Sequence, residues 1–155
     1  MLLRFEDGRS FAQGACTFLY HPATEEDVTP RIIVAVQIEG LQTETVVDTG
    51  GVYLVCDPEI ADLLDVDPAR GLGIAELNIR GIKVSGSLHR LSLTLLAEQG
   101  QSLELEATAF VPRLQPNEPW KLPSFMGLMG CLERLRFAVD PSTDTFYFGA
   151  LDGGG

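Results

Sequence analysis

The sequence has few basic residues and no long apolar run, and each shortage excludes a class of protein. Eleven Lys and Arg stand against 22 Asp and Glu in 155 residues, giving a formal net charge of −11. Such a surface repels phosphate backbones and anionic lipid, which disfavours binding to nucleic acid or to a membrane surface. No apolar stretch approaches the roughly 18 residues that a membrane helix needs. We therefore expect a soluble protein that binds neither nucleic acid nor membrane.

Cysteine is also scarce, and its distribution argues against metal or cofactor chemistry. Cys16, Cys56 and Cys131 are widely separated, no Cys-x-x-Cys spacing occurs, and the chain has only two histidines. No metal site and no cofactor are expected. Glu6 and Asp7 precede any apolar run, which indicates no signal peptide. We expect a cytoplasmic protein whose thiols are free and buried.

The length fits one domain with a sizeable core. Residues 31–149 carry the clear secondary-structure signals and are predicted to form that domain. Residues 1–30 are harder to interpret and are treated as an extension of uncertain structure, with one strand signal between residues 11 and 20. Residues 150–155 end in three glycines and are predicted to be a flexible tail.

The hydrophobic pattern predicts a mainly β chain with one or two short helices. Apolar and polar residues nearly alternate along residues 84–96 and 103–109, as in half-buried strands. Asp57 followed by Pro58 is typical of a helix start. Further strands are predicted at 32–38, 43–47, 75–80 and, as a closing hairpin, 137–148, with a proline-rich loop at 112–123.

The segment Asp48-Thr49-Gly50-Gly51 is the main candidate for chemistry. It follows an apolar strand, so the Asp48 carboxylate is expected on a tight loop at a strand end, where glycines let a substrate backbone approach. Asp-Thr-Gly alone is more typical of a plain β-turn in which Asp48 caps its own backbone. The choice between these interpretations therefore depends on the rest of the chain.

Two later segments decide between the catalytic and the plain-turn interpretations of Asp48. A glycine-bounded hairpin tip spans residues 81–86, and Phe125-Met126-Gly127 precedes a short helical signal at 132–135. In this order and spacing, the Asp48 segment and these two segments resemble the retropepsin family of aspartic peptidases over about residues 31–149. The resemblance implies a closed β-barrel of the acid-protease type.

The resemblance also implies roles for the motif. Asp48 would be the catalytic general acid–base. Thr49 would bind the two active-site loops together, and Gly50 and Gly51 would leave room for substrate. The reaction would be hydrolysis of a peptide bond by water, with no metal and no covalent intermediate.

The hairpin would be the flap that closes over an extended peptide or protein substrate. Gly81, Ile82, Lys83 and Val84 are the substrate-binding residues predicted there, with the last three at the tip.

The chain holds a single copy of the motif, which has a consequence for symmetry. An aspartic peptidase needs two neighbouring carboxylates, one ionised to activate water and one protonated to polarise the carbonyl. One Asp48 per chain therefore requires a two-fold homodimer with the cleft on its axis.

Two other functions stay open. Gly51 stands where the family usually has Ala, Ser or Thr, which favours, as an alternative, a non-catalytic dimer that binds peptides or acts as an interaction module. A cysteine hydrolase centred on Cys131 or Cys56 is the weaker rival. Residues 1–30 would either add a strand or cover the cleft.

Two residue groups outside the motif carry predictions of their own. His89 and Arg90 are neighbours on a predicted strand, so they should point to opposite faces, and we expect a polar pair at the surface. Trp120 lies among prolines and is expected to anchor its loop onto the body of the protein.

Overall fold

The computed structural model describes residues 2–25 and 28–151, and this part of the chain is mainly β. The strands, in chain order, are β1 (Gly14–Thr17), β2 (Leu19–His21), β3 (Arg31–Ile38), β4 (Leu41–Val47), β5 (Leu54–Val55), β6 (Gly73–Ile79), β7 (Ile82–Leu95), β8 (Gln99–Gly100), β9 (Leu103–Pro112), β10 (Ser124–Met126), β11 (Leu135–Asp140) and β12 (Thr145–Ala150). The predicted strands and the closing hairpin are confirmed, and their ends shift by a few residues.

The described helical segments are short. Helix α1 spans Pro58–Leu63, and single 3-10 turns cover Pro68–Arg70 and Leu132–Arg134. Asp57 caps α1 as predicted, because its carboxylate accepts a hydrogen bond from the Glu59 N–H at 2.9 Å. No helix in the described ranges is long and apolar enough to cross a membrane.

The strands form two sheets. A four-stranded sheet has the order β11-β12-β1-β8, and an eight-stranded sheet has the order β2-β3-β4-β10-β5-β9-β7-β6. A further pairing between β3 and β7 joins Val36 to Leu95 and Ile38 to Leu93. The strands β3-β4-β10-β5-β9-β7 are therefore linked in a continuous circuit of hydrogen-bonded neighbours.

The core contains two groups of apolar side chains. The larger holds fully buried residues from both sheets, among them Ile38, Leu93, Phe146 and Phe148, together with Leu132 of the second 3-10 turn. The smaller is built from Val46, Val55, Phe110 and Phe125, and half-buried Trp120 packs against it, which confirms the predicted anchoring role.

The described part of residues 1–30 adds strands to both sheets. β1 pairs with β12 through Ala15 and Tyr147, and β2 pairs with β3 through Tyr20 and Ile32. Of the two roles left open, an added strand is the one observed. The division at residues 30 and 149 stays a prediction. Of the predicted tail, Ala150 ends β12, and residues 152–155 lie outside the described residues.

The hairpin of β6 and β7 differs from its prediction. Ile79 pairs with Ile82, so Arg80 and Gly81 alone form the turn, with φ of 52° and 80°. Positive φ at both central residues is typical of the type I′ two-residue hairpin turn, after which strand pairing resumes directly. The predicted six-residue tip was therefore wrong, because Ile82, Lys83 and Val84 belong to β7.

The expectation of a surface pair at His89 and Arg90 was half right. Arg90 is exposed, whereas His89 is buried, with 7% of its surface accessible, and its Nε2 lies 2.7 Å from Ser87 Oγ. Residues on alternate sides of a strand face different environments. The His89 side is covered by the segment at Gly71, where an added Cβ would lie 3.0 Å from His89 Cε1.

Candidate active site

Asp48 stands directly after β4, at the point where two parallel strands end together. β4 pairs with β10, with Val47 opposite Met126, and the Asp48 N–H donates to the Met126 carbonyl at 2.9 Å. Val46 and all three residues of β10 are buried, so the chain direction through Asp48 is set by the core. The half-buried carboxylate consequently emerges where the next loop begins.

Backbone amides hold that loop closed around the carboxylate. The Gly50 N–H donates to Asp48 Oδ1 at 3.2 Å, and the Gly51 N–H donates to the Asp48 carbonyl at 3.1 Å. A Cβ on Gly51 would lie 3.0 Å from Asp48 Oδ2, closer than side chains normally pack. Glycine at position 51 therefore leaves the carboxylate in its observed place.

The loop after β10 interlocks with the Asp48 loop. Gly127 and Leu128 donate their N–H groups to the carbonyls of Tyr53 and Gly51, both at 2.8 Å, and Tyr53 donates to the Met129 carbonyl at 2.7 Å. A Cβ on Gly127 would meet backbone atoms of residues 51–53 at 2.6 to 2.7 Å. Phe125-Met126-Gly127 was recognised from sequence, but the direct contact of Gly127 with the motif was not.

A cavity of about 390 Å³ opens beside the Asp48 carboxylate. Asp48, Gly50 and Gly51 line one side, residues 77–80 of the β6 hairpin line another, and Phe125 contributes to an apolar wall. Asp48 is the one carboxylate among the described residues that line it. The arrangement is a carboxylate at the base of a partly apolar cleft beneath a hairpin.

The structure brings together only some of the predicted site residues. Asp48, Gly50 and Gly51 share the cavity, whereas Thr49 is exposed and does not line it. Gly81, Ile82, Lys83 and Val84 do not line it either, because the hairpin presents β6 to the carboxylate instead. Their roles in catalysis or substrate binding stay predictions.

A second cavity, of about 780 Å³, adjoins the first, and its described lining includes both basic residues and Glu25. Arg31 and Arg80 line both cavities, and Lys121 and His21 line the second. The guanidinium carbons of Arg31 and Arg80 lie over the Phe125 ring, at 5.9 Å and 5.2 Å from its centroid.

Arg31, Asn78 and Arg80 were not identified as site residues from the sequence. Arg80 was recognised as the first residue of the hairpin, and a basic residue beside a glycine turn in so acidic a chain was the available signal. No sequence pattern marked Arg31 as a site residue. Its place beside the cleft depends on the pairing of β3 with β4, which the sequence does not show.

The described thiols are unsuited to nucleophilic chemistry. Cys16, Cys56 and Cys131 are buried and free. Burial raises the pKa of the Cys56 thiol and of the Cys131 thiol to about 12 in each case. Because the thiolate is the nucleophile, the cysteine hydrolase alternative loses its chemical basis.

Among the described residues, no group of three or more His, Cys, Asp or Glu side chains is placed to hold a metal ion.

Comparison with known proteins finds similarity among solved structures. No protein-family model and no curated protein sequence matches the chain. Among solved structures, the chain is similar to a retropepsin-like aspartic protease from Rickettsia conorii, with 18% sequence identity and a TM-score of 0.48. The match covers 88% of this chain and 94% of that one. At this identity and TM-score the likeness does not assign a family.

Proposed function

We propose that this chain is one half of a retropepsin-like aspartic endopeptidase, in which the Asp48 carboxylates of two copies act together. The observation that carries the proposal is the setting of Asp48. Its carboxylate accepts from the Gly50 N–H at 3.2 Å, its loop interlocks with the Gly127 loop, and a cleft opens beside it under a hairpin.

The strand circuit supports the same proposal. Six strands, β3-β4-β10-β5-β9-β7, are joined in a closed series of pairings. A closed β-barrel of the acid-protease type is the architecture that such a circuit would form. It would hold Asp48 rigidly, because both strands that end beside the carboxylate belong to the circuit.

The chemistry follows from two carboxylates in one cleft. Two like charges a few ångströms apart resist simultaneous ionisation, so one Asp48 would be ionised and the other protonated. The ionised carboxylate would remove a proton from water as it attacks the peptide carbonyl. The protonated one would give its proton to the carbonyl oxygen, which produces a tetrahedral intermediate. The C–N bond of that intermediate would then break as the proton taken from water passes to the leaving amine. No covalent enzyme intermediate forms, because water is the nucleophile.

The surface beside the site is suited to a partner copy. Leu128 and Met129, directly after the interlocked Gly127, are 43% and 46% exposed. Exposed Thr49 lies on the Asp48 loop itself, and in a two-fold dimer it would hydrogen-bond across the axis. A homodimer would cover these apolar side chains and supply the second Asp48.

The decisive experiment compares wild type with Asp48→Asn on an unstructured protein substrate, from about pH 3 to about pH 8. We expect cleavage by wild type and none by the variant, with inhibition by a statine-type transition-state analogue. Cleavage that persists in Asp48→Asn would contradict the proposal. The cytoplasmic location stays a prediction.

One observation favours a second candidate, a non-catalytic dimer that binds peptides. Gly51 provides no hydroxyl to the carboxylate, and a Cβ at this position would lie 3.0 Å from Asp48 Oδ2. If the two Asp48 carboxylates do not catalyse peptide hydrolysis, wild type and Asp48→Asn would bind an extended peptide equally well, with no product at any pH.

A further inference from the structure

We propose that Ser87 and His89 form a second hydrolytic site, separate from the Asp48 cleft, in which Ser87 is the nucleophile for esters of short apolar acids. The inference goes beyond the peptidase function proposed above and does not depend on it. It starts from a pair of side chains that the chemistry of Asp48 does not use. Ser87 Oγ lies 2.7 Å from His89 Nε2, and the two residues are buried, with 6% and 7% of their surfaces accessible.

This short contact is what a serine nucleophile and its general base require. A serine hydroxyl is a weak nucleophile unless a neighbouring base accepts its proton, and a hydrogen bond between the two groups is the structural sign of such a pair. Burial lowers the pKa of His89, although the Asp67 carboxylate opposes this effect. The imidazole is therefore neutral at neutral pH and able to accept the serine proton.

The Asp67 carboxylate supplies a third group. Asp67 precedes the 3-10 turn Pro68–Arg70, and its Oδ1 accepts a hydrogen bond from the Ala69 N–H at 2.9 Å, which fixes the carboxylate at the start of that turn. Its negative charge acts on His89. It would stabilise the imidazolium that forms when His89 takes the proton, as the aspartate does in a Ser-His-Asp triad.

A cavity of about 460 Å³ gives a substrate access to Ser87. Ser87 lies opposite Ile74 of β6 and Val111 of β9, and all three residues line the cavity. Residues opposite each other on neighbouring strands project from the same face of a sheet, so the Ser87 side chain is on the cavity face. Leu88 projects from the other face, into the smaller core group that also borders the Asp48 cleft. The cavity and the cleft therefore lie on opposite faces of β7.

The lining of this cavity indicates the substrate class. Its residues are mostly apolar, among them Pro68, Ile74, Val111 and Pro112, which suits the acyl chain of an ester. The volume is in the range of small-molecule sites. Arg113 is the one charged residue among the described residues that line the cavity. Its positive charge would favour the negative charge that develops on the carbonyl oxygen during attack.

The reaction has two steps. Ser87 Oγ attacks the ester carbonyl carbon while its proton passes to His89 Nε2. The C–O bond to the alcohol then breaks, and the alcohol leaves with that proton. Water next attacks the carbonyl carbon of acyl-Ser87 and gives a proton to His89 Nε2. The bond to Ser87 Oγ breaks, the proton returns to that oxygen, and the free acid leaves.

A fluorophosphonate probe tests the nucleophile in the wild-type chain, because it bonds covalently to an activated serine hydroxyl. We expect one adduct by intact mass, mapped to Ser87, and none after unfolding in urea. Ser85 lines the same cavity as an exposed serine and should stay unlabelled. No adduct on the folded protein, or an adduct on Ser85 instead, would overturn the inference.

Hydrolysis of p-nitrophenyl butyrate by three variants measures the catalysis. Ser87→Ala and His89→Gln should each lower kcat/KM about 100-fold, which is the effect expected from loss of general-base catalysis. Ser92→Ala is the matched control and should keep the wild-type kcat/KM. Ser92 also lies on β7, but its hydroxyl donates to Glu104 at 2.9 Å and it lies outside the cavity.

Urea midpoints show which variants are folded in the assay. An unchanged kcat/KM in folded Ser87→Ala would reject the site, and if neither buried variant folds, the labelling of wild type decides. The outcome is also separable from that of the proposed peptidase. A wild type that hydrolyses the ester at Ser87 and cuts no protein substrate rejects only the peptidase. A wild type that cuts protein and is not labelled at Ser87 rejects only the ester site.

Discussion

A Cβ atom on Gly127 would lie 2.7 Å from the carbonyl carbon of Gly51, so the two loops that build the candidate site touch backbone to backbone. A hydrogen bond from the Leu128 N–H to the Gly51 carbonyl, at 2.8 Å, stabilises this contact. The position of the Asp48 carboxylate therefore depends on a residue that lies far from it in the chain.

Gly127→Ala should damage both the fold and the activity. The added methyl group meets backbone rather than a flexible side chain, and overpacking of this kind costs about 1–3 kcal/mol of unfolding free energy. We expect a lower urea midpoint and a large loss of kcat.

Gly40→Ala is the control for that variant. Gly40 has φ of 84° and open space around its Cβ position, so alanine there causes backbone strain without a clash. It should lose stability and keep kcat. If Gly127→Ala retained full activity, the interlock would not position Asp48.

Leu128→Glu with Met129→Glu should abolish the proposed dimer. Both side chains are exposed in the single chain, and charges buried without partners in an interface are costly. We expect a monomer by light scattering and loss of cleavage, since each monomer holds one Asp48. Leu63→Glu is the control. Leu63 lies on the exposed face of α1, with 74% of its surface accessible, so this variant should leave the mass and the activity unchanged. A monomeric but fully active wild type would contradict the shared site.

His89 should make the protein less stable in acid. Burial lowers the pKa of His89 below the 6.5 that an unfolded chain would show. The unfolded state then binds the proton more readily, so the contribution of neutral His89 is complete above about pH 6.5. It is lost progressively as the pH falls below that value.

Urea unfolding at about pH 7.5 and about pH 5.5 measures this effect. His89→Gln should show a smaller loss of stability between the two pH values than wild type. His21→Gln, which changes an exposed histidine, should behave as wild type does. Identical pH dependence in all three proteins would exclude His89 as the cause.

The thiols should resist alkylation while the protein is folded. Burial raises the pKa of Cys16 to about 11, and Cys56 and Cys131 are fully buried. We expect no mass increase with iodoacetamide at neutral pH, and full labelling in urea. Peptidase activity should survive the treatment. A loss of activity without unfolding would instead favour the cysteine hydrolase alternative.

Local patterns accounted for most of the elements around the site. The β-branched run before Asp48, the Asp57-Pro58 helix start and the closing hairpin were all evident, because strand periodicity, helix caps and tight turns depend on nearby residues. The same patterns placed Asp48 directly after a strand. They also predicted a hairpin later in the chain.

Tertiary structure alone decided which residues meet Asp48. Arg31, Arg80 and Gly127 reach the site through strand pairings between distant segments, and periodicity carries no information about such pairings. The burial of His89 and the two-residue turn at Arg80 likewise depended on what packs against β7 and where its register falls. Sequence therefore determined the chemical group and its local loop, whereas long-range packing determined the cleft around it.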